Sequence, residues 1–244
     1  MSFVPRIFIA SDDISGDTAV VRGSDFNHIV KVLRKTVGDT VTVCDMHSNV
    51  YEAAITFIGQ ESLSLALGEK RHNDNELPFK VTVYQCLPKG EKADTVVQKA
   101  VELGASEVVF VLSERCVARP DEKTFARRLE RLSRISESAA AQCGRSYVPA
   151  VKGLVGFDSA VGSLKQAGNP FLCYEGGNTV PLRQVLEPNR GDIAFMIGPE
   201  GGFSAREADL AAESGIPLVN LGKRILRTET AALYVLSAIS VLLE

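Results

Sequence analysis

Ile193-Ala194-Phe195-Met196-Ile197-Gly198-Pro199-Glu200-Gly201-Gly202-Phe203-Ser204-Ala205-Arg206-Glu207 runs an apolar strand into a glycine-rich turn and then into a helix. Five consecutive apolar residues suit a strand buried on both faces, the pattern of a parallel sheet. Ser204 and Glu207 are spaced as a capping box, which specifies the helix start. Ligands of parallel sheets bind at the carboxyl ends of the strands. Glycines at such an end remove Cβ atoms and let backbone N–H and C=O groups approach a ligand. The turn is not Gly-x-Gly-x-x-Gly and no Gly-Lys-Ser/Thr follows, which disfavours a dinucleotide or P-loop site. The plainer reading is a tight turn that merely needs positive φ.

A second stretch of the same kind lies downstream. Val219-Asn220-Leu221 reads as a strand, residues 222–227 as a loop, and Thr228–Leu243 as an apolar helix. Thr228 is placed to be the N-cap, and Glu229 sits where a helix N-terminus favours an acid. Lys223, Arg224 and Arg227 put three cations just ahead of that helix, against its dipole. Such a loop asks for an anion, either a phosphate or one of Glu229 and Glu200; otherwise it is a solvated basic loop.

Upstream of these stretches, strand-like residues 80–87, 107–112 and 170–174 alternate with helical residues 91–103 and 121–143. This rhythm predicts an α/β domain with a mainly parallel sheet. Residues 1–70 read differently. Five short alternating or β-branched segments, at residues 7–9, 18–21, 40–44, 51–58 and 62–67, predict a small β-barrel. Its one helical segment, residues 24–33, has Asp25 as a possible cap and an apolar face of Phe26, Ile29, Val30 and Leu33. His28, beside Phe26 and Ile29, reads as a packing residue. The polar segment 70–78, ending in Pro78, is the candidate linker.

The 244 residues are 45% hydrophobic and 23% charged, an ordinary globular composition. A net charge of −3 excludes a uniformly basic coat for nucleic acid. Counted by segment, residues 115–145 carry eight Lys/Arg against four Asp/Glu. Arg127, Arg131 and Arg134 share one helical face there, opposite a face of Phe125, Leu129 and Leu132. A basic stripe is the electrostatic footprint of phosphate-backbone binding, or a solvated surface. The apolar run from Ala231 is shorter than the roughly 20 residues that span a bilayer. Met1-Ser2-Phe3-Val4-Pro5-Arg6 has no apolar export core. The five cysteines form no Cys-x-x-Cys pair and the three histidines have no metal spacing. A cytoplasmic protein without a structural metal, membrane partner or DNA partner is expected.

The two glycine stretches, Ile197-Gly198-Pro199-Glu200-Gly201-Gly202-Phe203-Ser204 and Leu221-Gly222-Lys223-Arg224-Ile225-Leu226-Arg227-Thr228-Glu229-Thr230-Ala231, resemble the RsmE family. These are bacterial 16S rRNA uridine-N3 methyltransferases of the SPOUT class. Lys89-Gly90-Glu91-Lys92, Gln98-Lys99-Ala100-Val101-Glu102-Leu103-Gly104, Ser113-Glu114-Arg115-Cys116 and Gln142-Cys143-Gly144-Arg145 also fit. So do Pro5-Arg6-Ile7-Phe8 and His28-Ile29-Val30-Lys31-Val32-Leu33-Arg34. One departure is Cys44-Asp45-Met46-His47-Ser48, where Asp-Gly is expected after a strand.

The resemblance implies a PUA-like, RNA-binding β-barrel over 1–72 and a SPOUT α/β domain with a C-terminal trefoil knot over 73–244. It implies a homodimer that binds S-adenosylmethionine (SAM) and methylates 16S ribosomal RNA within the small subunit. Leu172, Tyr174, Gly198, Glu200, Gly201, Leu221, Gly222, Ile225 and Leu226 would hold the cofactor. Arg227 would meet the charge that develops on the uracil, and Glu229 or Glu200 would accept its proton. Arg6, Arg34, Arg115, Arg119 and Arg145 would contact RNA. The alternatives are a SPOUT enzyme for another RNA nucleotide and a non-catalytic RNA-binding assembly protein. The intact glycine loops and Arg227-Thr228-Glu229-Thr230 favour the enzyme.

Overall fold

The computed structural model describes residues 4–186 and 191–243. Met1-Ser2-Phe3, part of the stretch read for an export signal, lie outside them. The chain forms two compact units, Met1–Glu76 with Ala140–Val148, and Leu77–Ala139 with Pro149–Glu244.

The first unit is a curled sheet of β1 (Arg6–Phe8), β2 (Ile14–Ser15), β3 (Thr18–Arg22), β4 (Thr40–Cys44), β5 (Asn49–Ile58) and β6 (Ser62–His72). The strand order is β1-β4-β5-β6-β3-β2, with β1 and β4 parallel and the other pairs antiparallel. Alternation along the strands turns Ala19, Val21, Val41, Val43, Ile55, Leu63 and Leu65 into one core. The β5–β6 register slips between Tyr51 and Ala53 and again between Ile55 and Phe57. Such bulges bend the strand and increase its twist, which curls the sheet.

Several sequence expectations change in this unit. β6 continues to His72 because Lys70, Arg71 and His72 pair with Tyr51, Val50 and Asn49. The start of the expected linker is therefore strand. Its next residues are anchored too: Asn73 and Asn75 donate to the Gly144 carbonyl at 3.0 and 3.1 Å. The expected helix 24–33 splits into α1 (Gly23–Asn27), which has no side-chain cap, and a π-helical turn at His28–Val32. Asp25 thus caps nothing. β-Branched Ile29, Val30 and Val32 crowd an α-helix, and the Leu33 N–H reaches the His28 carbonyl at 2.9 Å. His28 is exposed rather than packed. The unusual turn after Cys44 works without glycine. Met46 and Ser48 take φ of 64°, while Asp45 accepts hydrogen bonds from the His47 and Asn49 N–H groups and the Asn49 side chain.

The second unit holds β7 (Val81–Cys86), α2 (Lys92–Glu102), β8 (Glu107–Leu112), α3 (Glu122–Cys143) and β9 (Ala150–Gly156). α4 (Phe157–Lys165), β10 (Asn169–Cys173), β11 (Val180–Pro181), α5 (Leu182–Leu186), β12 (Ile193–Ile197), α6 (Ala205–Glu213), β13 (Leu218–Asn220) and α7 (Thr228–Leu243) follow. The last turn of α3 falls in the first unit. The seven strands are all parallel, in the order β11-β13-β10-β12-β7-β8-β9. Every residue of β12 is buried, so both its faces are covered. Phe171 of β10 lies opposite Phe195 of β12 with the rings stacked at 5.5 Å. β9 and α4 escape the sequence reading because Ala150–Gly156 contains two glycines and only partly buried residues. Among the described residues no helix is long and apolar enough to cross a membrane.

Candidate active site

β13, β10 and β12 are neighbours, so their carboxyl ends and the loops that follow lie side by side. Between those loops and the start of α7 is a cleft of about 490 Å³. That volume falls in the range of small-molecule sites. Tyr174 and Glu175 come from the end of β10, Gly198 and Gly202 from the loop after β12, and Leu221, Ile225 and Leu226 from the loop after β13.

The glycine loop is held at both ends. Downstream, Ser204 and Glu207 make the expected capping box. Glu207 is almost fully buried, and its second oxygen accepts the Glu114 N–H at 2.7 Å. Upstream, the Gly198 carbonyl accepts from Thr228 Oγ1 at 2.6 Å, and Thr228 Oγ1 accepts from Gln85 Nε2 at 2.8 Å. Thr228 is therefore not the N-cap. It is the first helical residue, its hydroxyl is spent on the loop, and the Arg227 carbonyl accepts the Ala231 N–H. Gly202 has φ of 65°, and a Cβ there would collide with the Glu175 carboxylate. Only glycine lets that acid form part of the cleft wall.

The two acids considered as proton acceptors differ. Glu200 Oε1 accepts from Lys92 Nζ at 2.9 Å and from the Lys89 N–H at 3.1 Å. Burial opposes its charged form, but these hydrogen bonds outweigh burial and hold its carboxyl below the usual range. The same hydrogen bond pushes the Lys92 ammonium up. Glu229 Oε2 lies 3.5 Å from Lys92 Nζ. It is buried and accepts no hydrogen bond among the described residues.

Lys223, Arg224 and Arg227 are exposed and line the cleft. Among the described residues none of the three has a carboxylate within ion-pair distance. Glu200 and Glu229 are committed to Lys92, and Glu175, across the cleft, makes no ion pair with the three cations among the described residues. The loop's positive charge is therefore left for an external anion.

The expected RNA contacts separate. Arg34 is exposed and has φ of 55°. Arg115 and Arg119 are exposed, and their guanidiniums also brace loops: Arg115 donates to the Gly201 carbonyl at 2.9 Å, Arg119 to the Ser113 and Glu114 carbonyls at 2.8 and 2.9 Å. Arg6 is half-buried and donates to the Arg145 carbonyl at 3.0 Å. Arg145 is only 3% exposed and pairs with Glu76 at 2.7 Å, which leaves it no surface to offer a phosphate. On α3, Arg127 and Arg134 are exposed, while Arg131 pairs with Asp94 and Arg128 donates to the Gly90 carbonyl.

Of the expected cofactor residues, Tyr174, Gly198, Glu200, Leu221, Gly222, Ile225 and Leu226 line the cleft, as does Arg227. Leu172 does not: it is fully buried in β10, behind the cleft wall. Gly201 is exposed and faces Arg115 instead.

The pattern of an RNA methyltransferase domain matches residues 75–240, and that of an RNA methyltransferase PUA domain matches residues 21–67. Ribosomal RNA small subunit methyltransferase E of Bacillus subtilis is 31% identical over 229 residues, 91% of this chain and 90% of that protein. The chain belongs to the ribosomal RNA small subunit methyltransferase E family. The Synechocystis member is 32% identical, over 98% of this chain and 78% of its own length. The crystal structure of the Neisseria gonorrhoeae member bound to SAM superposes with a TM-score of 0.88 at 33% identity, covering 98% of each chain. The RsmE resemblance read from the two glycine loops holds, and so does the pairing of a PUA-like unit with a SPOUT-type α/β unit.

Some site residues of this family member carry no catalytic or cofactor role in the sequence reading. Lys92, Glu175, Gly202 and Thr228 all line the cleft. Lys92 had one available signal. It opens helix α2, where the dipole disfavours a cation, so a nearby acid could be inferred. Glu175 had none, because its role depends on a missing Cβ 27 positions away.

Proposed function

We propose that this chain transfers a methyl group from SAM to N3 of a specific uridine in 16S ribosomal RNA. The observation that carries the reading is a cleft at three parallel strand ends whose cationic rim has no internal counter-charge. Backbone at Gly198, Gly202 and Gly222, apolar Leu221, Ile225 and Leu226, and the Glu175 carboxylate suit a ligand with apolar, hydrogen-bonding and cationic parts. SAM, when bound, supplies a methyl group activated on a sulfonium.

The chain's own residues then have separable tasks. Ile225 and Leu226 supply apolar contacts along the cleft. Arg227 faces the charge that builds on the uracil oxygens as N3 loses its proton, a task that suits a permanently charged, forked group. Glu229, beside Lys92 at the start of α7, accepts that proton. Glu200, held by Lys92 and Lys89, shapes the loop instead. Leu172 packs behind the wall, and Gly201 anchors Arg115. N3 lies on the Watson–Crick edge, so the base enters unpaired. Arg34 on the PUA-like domain, and Arg115 and Arg119 beside the glycine loop, track the phosphates. Arg6 braces the Arg145 loop.

The remaining parts of the reading are the deep trefoil knot in residues 73–244, a cytoplasmic location, and a homodimer acting on the small ribosomal subunit. Tyr234, Val241 and Leu242 are exposed on α7, and Ile225 is 81% exposed. An apolar face of this kind suits a second copy of the chain.

The deciding experiment is nucleoside mass spectrometry of 16S rRNA from a strain lacking the gene. Loss of 3-methyluridine, restored by the intact gene, is expected; an unchanged peak would overturn the reading. SAM at about a hundred times its Kd is expected to raise the melting temperature by about 5–10 °C. Gly202→Val should abolish that rise, because the new side chain takes the place of Glu175 and a β-branched residue is strained at this positive φ. A full SAM-induced rise in the variant would exclude this loop from the cofactor site.

A further inference from the structure

Lys92 opens α2, and its ammonium opposes that helix's dipole. A lysine placed against the dipole needs acids close by, and two are present on different elements. Glu200 comes from the loop after β12, with 2.9 Å to Lys92 Nζ; Glu229 comes from the first turn of α7, with 3.5 Å. The loop that carries Lys92 is tied to the same point by the Lys89 N–H, 3.1 Å from Glu200 Oε1. At its back, α2 is braced by Asp94, which pairs with Arg131 of α3, while Arg128 of α3 donates to the Gly90 carbonyl. The ammonium is thus fixed from both sides and is not a wandering surface lysine. Its side chain is 31% exposed and lines the cleft.

We propose that Lys92 is a positioning residue for methyl transfer, clamping Glu200 and Glu229 so that the Glu229 carboxylate is held where the target base loses its proton. The proposal rests on the enzyme reading above and adds a residue to it. Glu200 makes the closer contact with the ammonium, 2.9 against 3.5 Å, so Glu229 is the more loosely held of the two acids and is oriented mainly by charge. In the step itself the N3–H bond breaks and the proton forms an O–H bond on Glu229. The electron pair stays on N3 and forms the bond to the methyl carbon, whose bond to sulfur breaks with its pair left on sulfur. Lys92 gains and loses nothing. It holds the acceptor in line, and orientation of a reacting group is a large lever on rate.

The test uses the full-length protein with Lys92→Met and Lys92→Arg. Three quantities are measured: SAM affinity by calorimetry, melting temperature, and steady-state methylation of small ribosomal subunits from a strain lacking the gene. Lys92→Met is expected to lower kcat by about 10²-fold, with KM for the RNA particle and Kd for SAM each within about threefold of the parent. Lys92→Arg, which keeps the charge, is expected to recover at least about a tenth of the parent kcat. An unchanged kcat in Lys92→Met overturns the proposal. So does a lost SAM affinity, which would make Lys92 a cofactor ligand, or an equal loss in both variants. If the unmodified protein binds SAM and methylates no ribosomal RNA, the enzyme reading itself falls, an outcome separable from the behaviour of either variant.

Discussion

Glu229→Gln is expected to lower kcat for uridine methylation by about 10²–10⁴-fold, the usual worth of a positioned general base. The substitution keeps the side chain's size and removes its charge and basicity. Glu229 Oε2 is buried without a hydrogen bond, beside Lys92, so the loss should appear in kcat. The melting-temperature rise with SAM should persist, because the substitution keeps the side chain's size and leaves every residue that lines the cleft unchanged. Glu200→Gln provides the contrast. Glu200 is already committed to Lys92 and the Lys89 N–H, so its loss should lower kcat far less than Glu229→Gln does. A Glu229→Gln enzyme with parental kcat, or a deeper kcat loss in Glu200→Gln, would reverse the assignment of the two acids.

Much of this site was legible in the sequence, and the pattern of what was missed has a physical cause. The loops after β12 and β13 could be read because their information is local. A buried strand, a glycine turn and a capped helix follow one another in 15 residues. The capping box at Ser204 and Glu207 is such a local device, and it forms as read. Thr228 was misread because its hydroxyl had two possible partners. The local one was its own helix backbone; the one realised is the Gly198 carbonyl, 30 positions away. Nothing in the residues around Thr228 records that choice. Lys92 and Glu175 were missed for the same reason, since each acts through a partner on another element. Fold class was more readable than strand order within it. Alternation of strand and helix announced a parallel sheet, yet the insertion of β13 between β11 and β10 depends on packing between segments far apart in sequence. The curled sheet of the first unit was likewise visible as short alternating strands, whereas the two slips of β5 against β6 that curl it were not.

The cations show the same limit from the other side, and Arg145 gives the sharpest measurement of it. In sequence it is one more arginine at the end of a basic stretch. In the structure its guanidinium donates to Glu76 through Nε and Nη2 and to the Tyr147 hydroxyl at 2.7 Å, and it lies 4.7 Å from the centre of the Tyr147 ring. Glu76 also accepts from the Ser146 N–H at 2.9 Å. This pair pins residues 144–148, after α3, to the segment that follows β6 within the first unit. Removing one partner of a buried, hydrogen-bonded ion pair leaves an uncompensated charge and costs about 3–5 kcal/mol. Arg145→Met is expected to lower stability by that amount in urea unfolding followed by circular dichroism. Arg34→Met, which removes an exposed cation, should change stability by no more than about 0.5 kcal/mol. A combined Glu76→Leu and Arg145→Met protein should lose less than the sum of its single variants, because no buried charge is left behind. The RNA-contact reading of Arg145 makes the opposite forecast. It requires near-parental stability together with weaker, less salt-dependent binding to ribosomal RNA, and that result would return Arg145 to the surface.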